Sequence, residues 1–105
     1  MRIALVHNHY DKSHLEAVKK EMVKKGAPVI HAVWMECFGH WQALEGCHRL
    51  RAAKELGLTP EIEEVEYCES TMLSDVVVYD GGEDYTIAEI CDGGANVDII
   101  EFDYN

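Results

Sequence analysis

Four consecutive residues, Gly46-Cys47-His48-Arg49, concentrate the chemistry of this chain. They stand between an apolar run and a helical pattern, where the amides of a first helical turn lack intrahelical partners and point outward. Those donors and the positive end of the helix dipole attract an anion, and a glycine lets a phosphate approach the main chain closely. His48 and Arg49 add side-chain donors, and the permanently charged guanidinium can grip two phosphate oxygens at once. Cys47 gains thiolate character from the dipole and from Arg49, so one stretch offers both a phosphate cradle and a nucleophile. Without any function, the same string is a helix that begins at glycine and carries a small buried cysteine.

Other residues offer weaker constellations. His7 and His9 fall on one face of an extended segment, with His14 one turn into the next helix. A metal centre needs three or four converging ligands, so loop histidines flanking the phosphate pocket are the plainer reading and no metal is assigned. Cys37, Cys68 and Cys91 read as core or surface thiols, although Cys37 or Cys68 could resolve a mixed disulfide with Cys47. Trp34 and Trp41 suit cross-strand packing, with base stacking as the sharper alternative. Glu61, Glu63, Glu64, Glu66 and Glu69 read as a solvated strand and loop, or as carboxylates that could hold Mg²⁺ beside a nucleotide.

The elements that must position these residues are legible in outline. Residues 2–7 read as a first strand. Asp11 or Ser13 can cap a helix over 12–25, with Leu15, Val18, Met22 and Val23 at helical spacing and Gly26 and Pro28 as stop signals. Residues 29–35 lack polar alternation and read as a strand covered on both faces, which Gly39 turns into a partner strand at 40–44. Leu50, Ala53 and Leu56 then mark a helix over 48–56 closed by Gly57. Residues 61–67 return to strand with a bulge or a late start, Ser70 can cap a helical turn reaching Asp75, and 76–79 form a further apolar segment. Gly-Gly turns at 81–82 and 93–94 bracket residues 85–90, which could pair with a final strand at 97–104 as a hairpin.

Composition bounds the function. The 105 residues suffice for about one domain, and 48% of them are hydrophobic. Four dispersed cysteines with no C-x-x-C and no apolar leader suit a reducing cytoplasm. No apolar run approaches the roughly 20 residues of a membrane span. The net charge of −11 is unevenly spread: all nine Lys and Arg lie at or before Lys54, and fourteen of the twenty Asp and Glu follow Leu58. Any phosphate-binding surface therefore belongs to the first half, and DNA binding by this chain alone is disfavoured. The acidic second half could itself meet a basic protein partner.

Cys47-His48-Arg49 after Gly46, with the helix that follows, resembles the sulfiredoxin signature F-G-G-C-H-R. Pro28-Val29-Ile30-His31-Ala32-Val33-Trp34 is similar to the strand that sulfiredoxins carry before it. Glu69-Ser70-Thr71-Met72-Leu73-Ser74-Asp75-Val76-Val77-Val78-Tyr79 is similar to their S-T-x-S-D-x-x-x-Y stretch with one residue inserted. Residues 44–58 equally resemble the ParB pattern of a glycine, a basic pair, R-x-A-A-K and L-G-L. The likeness covers about residues 11–80 and leaves 81–105 as an acidic C-terminal extension.

The resemblance implies a single α/β (α+β) domain, a small mixed sheet with packed helices, of the ParB and sulfiredoxin-like type. It also implies nucleotide binding, of ATP, ADP or CTP with Mg²⁺, through Gly46, Cys47, His48 and Arg49, with phosphoryl transfer or hydrolysis as accompanying chemistry. In sulfiredoxins the cysteine attacks a phosphorylated sulfinic acid on an oxidised peroxiredoxin, a role that would fall on Cys47 as catalytic nucleophile. Counted from Asp11, the family's ATP-contacting Lys, Ser and Thr fall on His14, Ala17 and Glu21. The first glycine of the signature is replaced by Glu45. The alternatives to nucleotide binding alone are an ATP-dependent cysteine-sulfinic acid reductase and a non-catalytic acidic interaction module. The helical domain that gives ParB proteins specific DNA binding is absent from this sequence.

Overall fold

The computed structural model describes residues 1–6, 10–72, 75–76, 86–92 and 98–103. The elements run β1 (Arg2–Ala4), α1 (Lys12–Lys25), β2 (Val29–Met35), β3 (His40–Ala43), α2 (Cys47–Leu56), β4 (Glu61–Glu64), α3 (Ile87–Asp92) and β5 (Ile99–Glu101). The five strands form one mixed sheet in the order β4-β2-β3-β1-β5, and the fold is α+β. Strand β1 is parallel to β3 and β2 to β4, whereas β2 and β3 form an antiparallel hairpin and β5 is antiparallel to β1.

Helix α1 starts where Asp11 caps it, the carboxylate accepting the His14 amide at 2.8 Å, and stops at Gly26, whose φ of 85° and amide bond to the Met22 carbonyl end the ladder. Leu15, Met22 and, partly, Val18 face the sheet. Val23 departs from expectation: it is 71% exposed, because one residue beyond Met22 lies about 100° around the helix from the buried stripe. Helix α2 ends at Gly57 with φ 71°, as its glycine suggests, and buries Cys47, Leu50, Ala52 and Ala53.

Both long helices cover one face of the sheet, in a cluster with Ile3, Leu5, Ile30, Ala43 and Phe102. The opposite face is covered by α3, where Ile87 and Cys91 pack on Val33 and Leu44. Trp34 and Trp41 stand directly opposite in the hairpin and meet edge to face, 5.2 Å between ring centroids, so cross-strand packing describes them.

Four expectations need correction. The segment at 85–90 is not a hairpin strand: its second half is in α3, and β5 pairs with β1 instead. The cause is a capping box, in which Thr86 Oγ1 accepts the Glu89 amide at 3.2 Å and Glu89 Oε2 accepts the Thr86 amide at 3.0 Å. Strand β2 is buried on both faces only mid-strand, with Val29 and Trp34 each 44% exposed. Strand β1 ends at Ala4, and β4 ends at Glu64, followed by one further ladder bond from the Val65 amide to the Ala32 carbonyl. A short, carboxylate-bearing edge strand resists pairing with another chain. The apolar segment at 76–79, the proposed turn at 70–75 and the histidines His7 and His9 lie wholly or partly outside the described residues.

Candidate functional site

Topology brings two helix starts together. Strands β1 and β3 are adjacent and parallel, β1 leads into α1 and β3 into α2, so both helices begin beyond the carboxyl ends of neighbouring strands. In open α/β sheets this is where ligands bind. Gln42, 2% exposed, fixes the arrangement from below by donating through Nε2 toward the carbonyls of Ala4, Leu5 and Ala43.

The turn into α2 depends on Gly46. Its φ of 77° is left-handed, and a Cβ there would stand 2.6 Å from Ile30 Cδ1 and 3.3 Å from a terminal nitrogen of Arg49. Glycine is thus required by conformation and by space together. As N-cap it supplies no side-chain acceptor to the first turn of α2.

His48 reaches across to α1. Its Nε2 accepts the main-chain N–H of Asp11 at 2.9 Å, and its ring lies 4.3 Å, centroid to centroid, from the ring of His14. An accepting Nε2 assigns the proton to Nδ1. Of the positions that the resemblance placed on α1, His14 therefore joins the turn. Ala17 is exposed, and Glu21 is paired with Lys25 at 3.0 Å. Lys12 and Ser13 open the helix on its exposed side.

Arg49 folds back over Gly46. One terminal nitrogen donates to the Val29 carbonyl at 3.1 Å and the other to Glu45 Oε1 at 2.5 Å. Glu45 Oε2 in turn accepts from His31 Nδ1 and, at 3.3 Å, from the His31 amide. Burial raises the Glu45 carboxyl, but the His31 hydrogen bonds and the Arg49 charge outweigh it and hold the group below the usual carboxylate range. Arg49 also lines a groove of about 300 Å³, together with Val18, Glu21, Met22, Lys25 and the turn at 26–28.

No protein-family model, curated protein or solved structure matches the chain.

Cys47 is 7% exposed and packs in the main core, whereas Cys37 and Cys68 are exposed and Cys91 lies in the second cluster. All four are thiols. The sequence alone marks Glu45 only as the replacement of a signature glycine and assigns no role to His31. The only local signal was the four-residue spacing of Glu45 and Arg49, since His31 meets them from the neighbouring strand. Among the described residues no three His, Cys, Asp or Glu side chains gather into a metal centre, and no helix is long and apolar enough to cross a membrane.

Proposed function

We propose that the chain binds a nucleotide, ATP, ADP or CTP, by its phosphates at the turn from Gly46 to Arg49. The observation that carries this reading is the bond from the Asp11 amide to His48, which sets the starts of α1 and α2 side by side. Two helix N-termini then contribute to one positive field, and Lys12 and Arg49 add to it. The groove of about 300 Å³ that Arg49 helps to line would take the ribose and base. Bound Mg²⁺, carried in by the nucleotide, would screen phosphate charge.

In this reading Arg49 supplies charge to the phosphates, and His48 holds the two helix starts together by accepting the Asp11 amide. Cys47 serves mainly to pack the helix start against Ile30 and Leu50, and its burial favours phosphate holding over thiol attack. The resemblance to sulfiredoxins and ParB proteins supports the same placement of phosphate. Phosphoryl transfer or hydrolysis would depend on an acceptor delivered to that turn.

Amide-detected NMR titration with Mg²⁺ and ATP, ADP or CTP tests the proposal. Shifts should centre on residues 46–49 and on Asp11 to His14, survive in Cys47→Ser and be lost in Arg49→Ala. If no nucleotide perturbs these residues in the wild type, the proposal fails.

A further inference from the structure

The phosphate reading leaves one arrangement without a use. A carboxylate stands at a helix start, on the arginine that should receive the ligand. Glu45 immediately precedes the N-cap of α2, and its Oε1 takes the bond from Arg49 that a phosphate oxygen would want. Its other oxygen is pinned by His31 through the ring and the amide. The Glu45 side chain is 20% exposed and Arg49 39%, so the pair sits at the rim, reachable from solvent. Lys25 and Glu21, which line the adjoining groove, pair with each other.

We propose that Glu45 is a positioning residue that occupies the phosphate's place on Arg49 in the resting protein, and that a phosphate ligand binds by displacing it. The inference rests on the nucleotide reading above. A carboxylate and a phosphate offer the guanidinium the same kind of acceptor, and the ligand with more charge and more oxygens wins. The Val29 carbonyl keeps the arm of Arg49 folded over Gly46 during the exchange, so only one of its two terminal nitrogens changes partner. Displaced Glu45 retains His31, which spares it from standing unpaired in a half-buried place. The site thereby sets a threshold: a singly charged anion gains little over Glu45, whereas a di- or triphosphate gains much.

The test uses inorganic pyrophosphate, with no base to bind elsewhere, titrated into wild type, Glu45→Gln and His31→Gln while the amides of residues 46–49 and Arg49 Nε–H are followed by NMR. Gln at 45 keeps the size and the acceptor oxygen but removes the charge, so its affinity should exceed wild type by roughly threefold to tenfold. His31→Gln, which weakens the hold on displaced Glu45, should bind no tighter than wild type. In the wild type the Arg49 Nε–H should shift on binding. A wild type that binds while folded Glu45→Gln binds equally or more weakly overturns the displacement and leaves the nucleotide reading standing. Absence of pyrophosphate binding by all three proteins overturns both.

Discussion

The imidazole of His48 accepts the Asp11 amide at 2.9 Å across 37 residues of sequence, and so joins the starts of the two principal helices. A hydrogen bond of this kind contributes about 1 kcal/mol net. His48→Ala should therefore lower unfolding free energy by about 1 kcal/mol in urea titration and shift the Asp11 amide resonance. An unchanged Asp11 amide would show that the joint is not made in solution.

Gly46 meets a harder constraint. Any side chain there must adopt φ 77° and displace Ile30 Cδ1, which sits 2.6 Å from the position of a Cβ. Gly46→Ala should cost about 1–3 kcal/mol. By contrast Gly57→Ala, in the same left-handed region at φ 71° but with open space around it, should cost less. Chemical denaturation of the two variants side by side decides the order, and equal costs would contradict the packing account.

Helices α1 and α2 and the β2–β3 hairpin were legible because they are locally encoded. Leu15, Val18 and Met22 share one stripe, Gly26 and Gly57 end their helices, and Gly39 turns the Trp34–Trp41 hairpin. What escaped was either non-local or locally outvoted. Strand β5 pairs with β1 from the far end of the chain, which no turn signal announces. The Tyr and Ile around Thr86 favour strand, and the reciprocal bonds between Thr86 and Glu89 turn the segment to helix. At the site, the glycine turn was readable as a four-residue string. The partner of Arg49 was not, because the pinning of Glu45 by His31 exists only once β2 lies beside that turn.

Thr86 provides a direct check on α3. Removing its hydroxyl in Thr86→Ala should cost about 1 kcal/mol through the lost cap and loosen Ile87 and Cys91 from Val33 and Leu44. Faster hydrogen exchange of the Ile90 amide, which bonds the Thr86 carbonyl, would register the change. Exchange unaltered by the substitution would rule the cap out as the cause of the helix.

Burial and then the Arg2 charge hold His40 below the ordinary imidazole range. A base whose folded pKa is depressed binds fewer protons in the folded state. Its contribution is therefore complete above the unfolded pKa of about 6.5 and is lost as pH falls through the lower folded value. Urea midpoints should decline from pH 7.5 to pH 5, less steeply in His40→Gln. A parallel decline in both proteins would assign the effect to other groups.

The Thr71 hydroxyl, followed by Ser70, brings the exposed Cys68 thiol down to about 7. At neutral pH about half of it is thiolate, the reactive form. Iodoacetamide at pH 7 should modify Cys68 ahead of the other three cysteines, with Cys47 and Cys91 protected by burial. Mass spectrometry of the first adduct checks this, and Thr71→Val should slow the reaction. A first adduct on Cys47 would contradict both the burial of that thiol and its packing role.

Calorimetric titration of MgATP, MgADP and MgCTP into wild type, Arg49→Ala and Cys47→Ser puts the phosphate-holding turn to its most direct test. The account predicts saturable binding of at least one nucleotide by wild type and Cys47→Ser, weakened about tenfold or more in Arg49→Ala. Binding that persists undiminished without Arg49, or heat of dilution alone for the wild type with all three nucleotides, would contradict it.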